Sequence, residues 1–199
     1  MTLIALPSPR QRTAALLVLR VCSVLFFGTG VGGGLIANNK LIGGSNAIGG
    51  EWGHNPMPGE ARGLHQERNC WCGQKDCIET YLSGPSLEKE FLEETGKRSS
   101  CAEIFSPEKI LDPAAAKIIA RFEKRAAIAL SSVINIFDPQ VIVLGGGLSN
   151  IKRIYNQIPF HLEKYIFSNG YSVNLRPPKH GDSSGVRGAA RLWDARIYS

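Results

Sequence analysis

The sequence predicts an α/β fold, on three observations. Apolar runs of strand length are interspersed with longer runs of helical period. The run VIVL at 141–144 is apolar throughout, as in a strand buried on both faces. Glycine clusters follow two of the apolar runs, at 28–34 and 145–147, and the second gives the order strand, glycine turn, helix.

Taken in order, residues 1–20 carry little pattern. Residues 22–27 (CSVLFF) read as a strand entering a glycine turn, GTGVGGG at 28–34. Leu35, Ile36, Leu41 and Ile42 suggest a returning strand that turns at Asn38-Asn39-Lys40. Residues 43–69 are rich in Gly, Pro and Asn and read as loop. A helix is predicted over 77–95, broken near Gly84-Pro85. The strongest helix spans 114–136, where Ile118, Ile119, Phe122, Ala126, Leu130 and Ile134 recur at three and four. Asp138-Pro139 ends it. After VIVL and its glycines come a helix at about 150–166, a strand at 171–175 and a small-residue helix at 183–195 capped by Asp182 or Ser183.

A chain of 199 residues is one domain or one lobe of a larger fold. The net charge is +6, but residues 1–27 hold Arg10, Arg12 and Arg20 and no acid, so the remainder carries only +3. That is too little, and too mixed in sign, for nucleic-acid binding. The stretch 13–27 after Arg10 and Arg12 looks like the core of a signal peptide, yet Arg20 interrupts it and no small-residue cleavage site follows. A run of about fifteen residues is too short to span a bilayer. Neither membrane attachment nor export is expected.

Three of the five cysteines, Cys70, Cys72 and Cys77, lie within eight residues. That is a poor disulfide framework and a good metal loop, which favours a reducing, cytoplasmic compartment. With His54 they supply three thiolates and an imidazole, a set that suits tetrahedral Zn²⁺ with no open position. Cys72-Gly73 makes the tight turn, and His65 is a rival fourth ligand. Cys22 and Cys101 lack partners and read as core residues. Glu51, three residues before His54, can face the same pocket, and a carboxylate there can accept bonds from sugar hydroxyls. In GTGVGGG the absence of Cβ atoms lets backbone amides approach phosphate oxygens, although no Lys-Ser/Thr follows as in a P-loop. A plain glycine-rich hairpin is the other reading of that segment. Glycines after VIVL let a flat ring lie at the strand's carboxyl end.

Together GTGVGGG, EWGHNP, CWCGQKDCIE, VIVLGGGLSN and HGDSSGVRGAA resemble, in family order, the ROK family of repressors, open-reading-frame proteins and sugar kinases. The resemblance covers roughly 27–195 and is strongest to the fructokinase/mannokinase branch, through EWGHNPMP and HGDSSGVRGAARLW. N-acetylglucosamine kinases and glucokinases share most of the motifs. The implied fold is the C-terminal lobe of the actin/hexokinase-like ATPase fold, ribonuclease H-like, with a zinc-binding loop. The implied reaction is transfer of the γ-phosphoryl of ATP to a hexose, fructose in the first instance. Gly28, Thr29, Gly30, Gly32, Gly33 and Gly34 would hold the phosphates, and Gly145, Gly146, Gly147 and Leu148 would border the adenosine. Glu51, His54 and Glu79 would bind the sugar. His54, Cys70, Cys72 and Cys77 would bind structural zinc, and Mg²⁺ would travel with ATP. A homodimer is compatible with the resemblance. A repressor would need a DNA-binding helix-turn-helix, and no segment of the chain reads as one.

The sequence also departs from the family. The family's general base is an Asp just before the strand leading to GTGVGGG; here the first acid is Glu51 and the first Asp is Asp76, so no catalytic residue is assigned. The N-terminal lobe is expected to be missing, and the chain to be a weakly active or inactive kinase, or a zinc-containing sugar-binding remnant. Residues 1–25 are unlike the family and are set apart from a domain at 26–199. Reading their codons back by one nucleotide forces Asp across Met1-Thr2. It also permits N-D-A-N-C-L-A-L-S-E-A-T-D-G over MTLIALPSPRQRTA, which suggests an out-of-frame stretch.

Overall fold

Val21–Phe27 forms strand β1, with Cys22, Leu25 and Phe27 buried. The computed structural model describes residues 21–38, 40–63, 67–168, 170 and 174–179. His65, the first three residues of the strand expected at 171–175, the whole of HGDSSGVRGAA and the helix expected at 183–195 lie outside those residues. β1 begins five residues before the boundary at 26 drawn from the sequence.

The glycine segment is less of a turn than its composition suggests. Only Gly28-Thr29-Gly30 turns, closed by the Gly28 amide donating to the Gly30 carbonyl at 3.0 Å. Strand β2 runs Val31–Ala37 and pairs antiparallel with β1, so Gly32, Gly33 and Gly34 sit opposite Phe26, Leu25 and Val24. The pattern fails here because three bare residues carry no period-two signal. Asn38 takes a left-handed φ of 51°, and the two-residue strand β3, Lys40–Leu41, pairs with β2.

The loop that follows holds a 3-10 turn at Trp52–His54 and helix α1 at Gly59–Arg62. The break expected near Gly84-Pro85 is real: α2 spans Glu79–Leu82, and α3 spans Gly84–Thr95 with Ser83 accepting the Ser86 amide as its N-cap. Two short helices, α4 (Cys101–Ile104) and α5 (Pro107–Ile110), precede the long α6, Pro113–Phe137. Asp112 caps α6 by accepting the Ala114 and Ala115 amides, and Asp138 at φ 43° ends it. Strand β4, Val141–Gly145, leads into a 3-10 turn at Gly147–Asn150 and helix α7, Ile154–Leu162. The helix expected at about 150–166 is therefore shorter at both ends, and a 3-10 turn precedes it. Strand β5 is Leu175–Arg176.

The sheet order is β3-β2-β1-β4-β5, with β1, β4 and β5 parallel and β2 antiparallel to both its neighbours. The pairing of β1 with β4 sets Phe26 beside Gly145. Both strands therefore end together, each in a glycine turn. Phe27 packs edge-on against Trp52 at 5.8 Å and Phe122 of α6 at 6.4 Å, joining the strand end to the helices. Among the described residues no helix is long and apolar enough to cross a membrane.

Candidate metal centre and glycine turns

Between His54 and Cys77 the chain folds into a loop pinned by backbone bonds. Isolated β-bridges join Pro56 to Cys77 and Asn69 to Lys75. The Met57 amide donates to the Asp76 carbonyl at 2.7 Å and the Ile78 amide to the Asn55 carbonyl at 2.9 Å. At the tip, the Cys70 amide donates to the Gln74 carbonyl, and Gly73 at φ 88° makes the turn expected after Cys72.

This loop brings all four expected ligands together. The candidate ligand atoms of His54, Cys70, Cys72 and Cys77 lie within 4.8 Å of one another. Cys70 Sγ is 3.6 Å from His54 Nδ1, and Cys72 Sγ is 3.6 Å from Cys77 Sγ. Zn–S bonds of about 2.3 Å at a tetrahedral centre put neighbouring sulfurs about 3.8 Å apart. A disulfide would need about 2.05 Å. The donor set thus fits a four-coordinate zinc ion. As plain thiols the cysteines are driven apart in acidity: a bond from the Gln74 backbone draws Cys72 down to about 7, while burial and then the neighbouring sulfurs push Cys77 up to about 12.

Charged side chains tie the loop to the helices. Asp76, at φ 56°, accepts bonds from the Arg68 amide, the Tyr81 hydroxyl and Arg62. Arg68 donates to the Thr80 carbonyl at 2.7 Å and to Glu90 at 2.6 Å. Glu90, on α3, also takes Arg121 and Arg125 of α6. The guanidinium groups of Arg68 and Arg125 both stack on the Tyr81 ring, at 4.2 and 5.0 Å. Burial alone would raise the Glu90 pKa, but Arg125, Arg68 and Arg121 outweigh it and hold the carboxyl down to about 2. This network is invisible to sequence reading, because its members are separated charges with no shared motif.

The two glycine turns meet at the parallel strand ends. A Cβ on Gly146, whose φ is +80°, would lie 2.6 Å from the Phe27 carbonyl and 3.0 Å from the Gly28 nitrogen. The Gly84 amide of α3 donates to the Gly28 carbonyl at 2.8 Å. Leu148 is buried, with Gly147 in the 3-10 turn beside it.

Glu79 reaches this region from α2. Its Oε2 accepts the Val31 amide at 2.9 Å, and its Oε1 accepts the Trp71 indole N–H at 2.7 Å. Glu51 is exposed, and its Oε2 lies 3.9 Å from where a Gly32 Cβ would stand. Both acids therefore address the glycine strand, and half-buried His54 reaches the cysteines through Nδ1. A cavity of about 700 Å³ runs beside Glu79, lined also by Thr29, Arg68, Trp71, Ser83 and Lys89; neither Glu51 nor His54 lines it.

A sheet of this order, with paired glycine turns at its parallel ends, has the architecture of actin/hexokinase-like ATPases. A crystal structure of a ROK hexokinase from Thermus thermophilus superposes with a TM-score of 0.76 at 26% identity, covering 93% of this chain and 61% of that one. A ROK-family transcriptional regulator, a homologue of the E. coli MLC protein, superposes at 0.73 and 21% identity over 88% of this chain and 46% of that one, which bears on fold alone. The sequence profile of the ROK family matches residues 19–196, and the chain belongs to that family. An N-acetyl-D-glucosamine kinase of Aliivibrio fischeri is 39% identical over 173 residues, 84% of this chain and 57% of that protein. Its counterpart in Vibrio cholerae is 37% identical over 172 residues, with the same coverage. The chain spans little more than half the length of these relatives.

Proposed function

We propose that the chain is part of an ATP-dependent sugar kinase that phosphorylates N-acetylglucosamine. The relatives at 37–39% identity are N-acetylglucosamine kinases, so the fructose expectation drawn from EWGHNPMP and HGDSSGVRGAARLW is replaced. The observation that carries the reading is the convergence of Glu79, the metal ligands and the Gly28–Gly30 turn on one strand end.

In this reading the turn amides at Gly28–Gly30 hold the phosphates of Mg²⁺-bound ATP, and Gly145–Leu148 border the adenosine. Glu51, His54 and Glu79 orient the hexose by accepting from or donating to its hydroxyls. Bound zinc supplies structure rather than chemistry, by fixing the loop that presents His54. The γ-phosphoryl then passes to the sugar oxygen as the P–O bond to ADP breaks, and the hydroxyl proton goes to a base. Residues 1–27 contain neither Asp nor Glu. A base contributes about 10² to 10⁴ in rate, so the 199-residue chain by itself should turn over at least about a hundredfold below relatives that hold one. The thiol-rich site suits a reducing compartment, which supports a cytoplasmic setting. An out-of-frame origin for the start of the chain is a separate proposal, and the profile match from residue 19 supports confining it to residues before that point.

A coupled kinase assay with N-acetylglucosamine, glucose, mannose and fructose tests the reading, run on the 199-residue chain and on a version with the upstream frame repaired. Preference for N-acetylglucosamine in the repaired protein supports it. In that repaired protein, preference for fructose, or no ATP-dependent turnover with any of the four, overturns it.

A further inference from the structure

Trp71 stands between two metal ligands, Cys70 and Cys72, and is 81% exposed. An indole that open is not held by core packing. It is held by two directed contacts instead. Its ring meets the His54 ring edge-on at 5.1 Å, and its N–H donates to Glu79 Oε1 at 2.7 Å. The other oxygen of the same carboxylate accepts the Val31 amide at 2.9 Å, the first residue after the glycine turn. Glycine at position 30 is what permits this approach, since a Cβ there would come within 2.5 Å of Glu79 Oε2. The backbone of Glu79 is fixed as well, its carbonyl accepting the Ser83 amide and the Ser86 hydroxyl.

We propose that Trp71 and Glu79 form a latch through which metal ligation fixes the glycine turn, with Trp71 a positioning residue for the Glu79 carboxylate. Ligation of Cys70 and Cys72 sets the path of the loop at Trp71. The indole N–H then decides where Oε1 sits, and the rigid carboxylate carries that position to the Val31 amide about one side chain away. A carboxylate has lone pairs for further bonds, so this role leaves Glu79 able to meet a ligand hydroxyl. The latch rests on the metal clasp and does not depend on which sugar is bound.

Amide and indole hydrogen exchange, followed by NMR on the ¹⁵N-labelled 199-residue chain with and without zinc, reads the latch directly. Zinc loading should slow exchange of the Val31 amide and the Trp71 indole by about tenfold or more. Trp71→Phe keeps a ring against His54 and removes the N–H; it should retain one zinc per chain yet lose the slowing at Val31. Glu79→Gln offers one acceptor oxygen in place of two and should release either Val31 or the indole while zinc stays bound. Zinc bound to all three proteins with equal protection of Val31 would overturn the latch and leave the clasp standing. Failure of the wild-type chain to bind zinc would overturn both.

Discussion

The metal loop and the glycine turns lie side by side, and they are built in opposite ways. The loop is made by side chains: three sulfurs, an imidazole, and charges that lash it to α3 and α6. The turns are made by the absence of side chains, and their shape comes from backbone brought into contact by strand pairing. A site assembled from side chains fails when a ligand or its counter-charge is removed. A site assembled from bare backbone fails when an atom is added. Glu79 joins the two, with one oxygen on each.

The largest effect should follow loss of a ligand. Cys77→Ser should lower zinc content from one per chain to near zero, and the melting temperature should fall by about 10 °C or more. Elemental analysis and a thermal melt check this, and unchanged melting would break the contrast on the loop side. Next is the charge network. Glu90→Gln keeps the shape but leaves Arg68 and Arg125 without their anion, while Arg121 keeps Glu94, at a cost of about 3 to 5 kcal/mol by urea unfolding.

The same residue gives a pH signature. Its folded pKa of about 2 lies below the usual Glu value. Its stabilisation is therefore fully present above about pH 4.5 and is lost as pH falls from there toward 2, amounting to about 3 kcal/mol. Glu90→Gln should flatten that part of the stability–pH curve, and an equally steep curve in the variant would assign the acid sensitivity elsewhere.

Adding an atom tests the other side. Gly146→Ala forces a Cβ against the Phe27 carbonyl at a φ of +80° and should cost about 2 to 3 kcal/mol. The expected damage is local, seen as shifted amide resonances around Gly28 with zinc content intact. The smallest effect sharpens the comparison away from both regions: Ser100→Ala removes the capping box on α4 and should cost about 1 kcal/mol with neither site disturbed.

How much of this was legible in the sequence follows the same division. The cluster of His54, Cys70, Cys72 and Cys77 was readable because spacing carries the information: cysteines that close together in sequence are brought together by one short loop. The long helix and VIVL were readable because burial imposes a period. Strand β2 was readable only at Leu35-Ile36, since Gly32–Gly34 hide the alternation of its first half, and their role emerges only from pairing with Val24–Phe26. Arg68, Asp76, Glu90 and Arg125 left no pattern because their partners are brought together by the fold, not by spacing. Helices α4 and α5 were within reach, as Ser100 with Glu103 and Ser106 with Pro107 are N-terminal signals. Trp71 reads as one more exposed aromatic until Glu79 is placed beside it.

The central claim is that His54, Cys70, Cys72 and Cys77 close around a single zinc ion. X-ray absorption at the zinc edge, on protein whose metal content is first counted by native mass spectrometry, tests it most directly. One zinc per chain, with a shell of three sulfurs at about 2.3 Å and one nitrogen at about 2.0 Å, is the result expected. A chain that stays metal-free when zinc is supplied, or a shell dominated by oxygen, would contradict it.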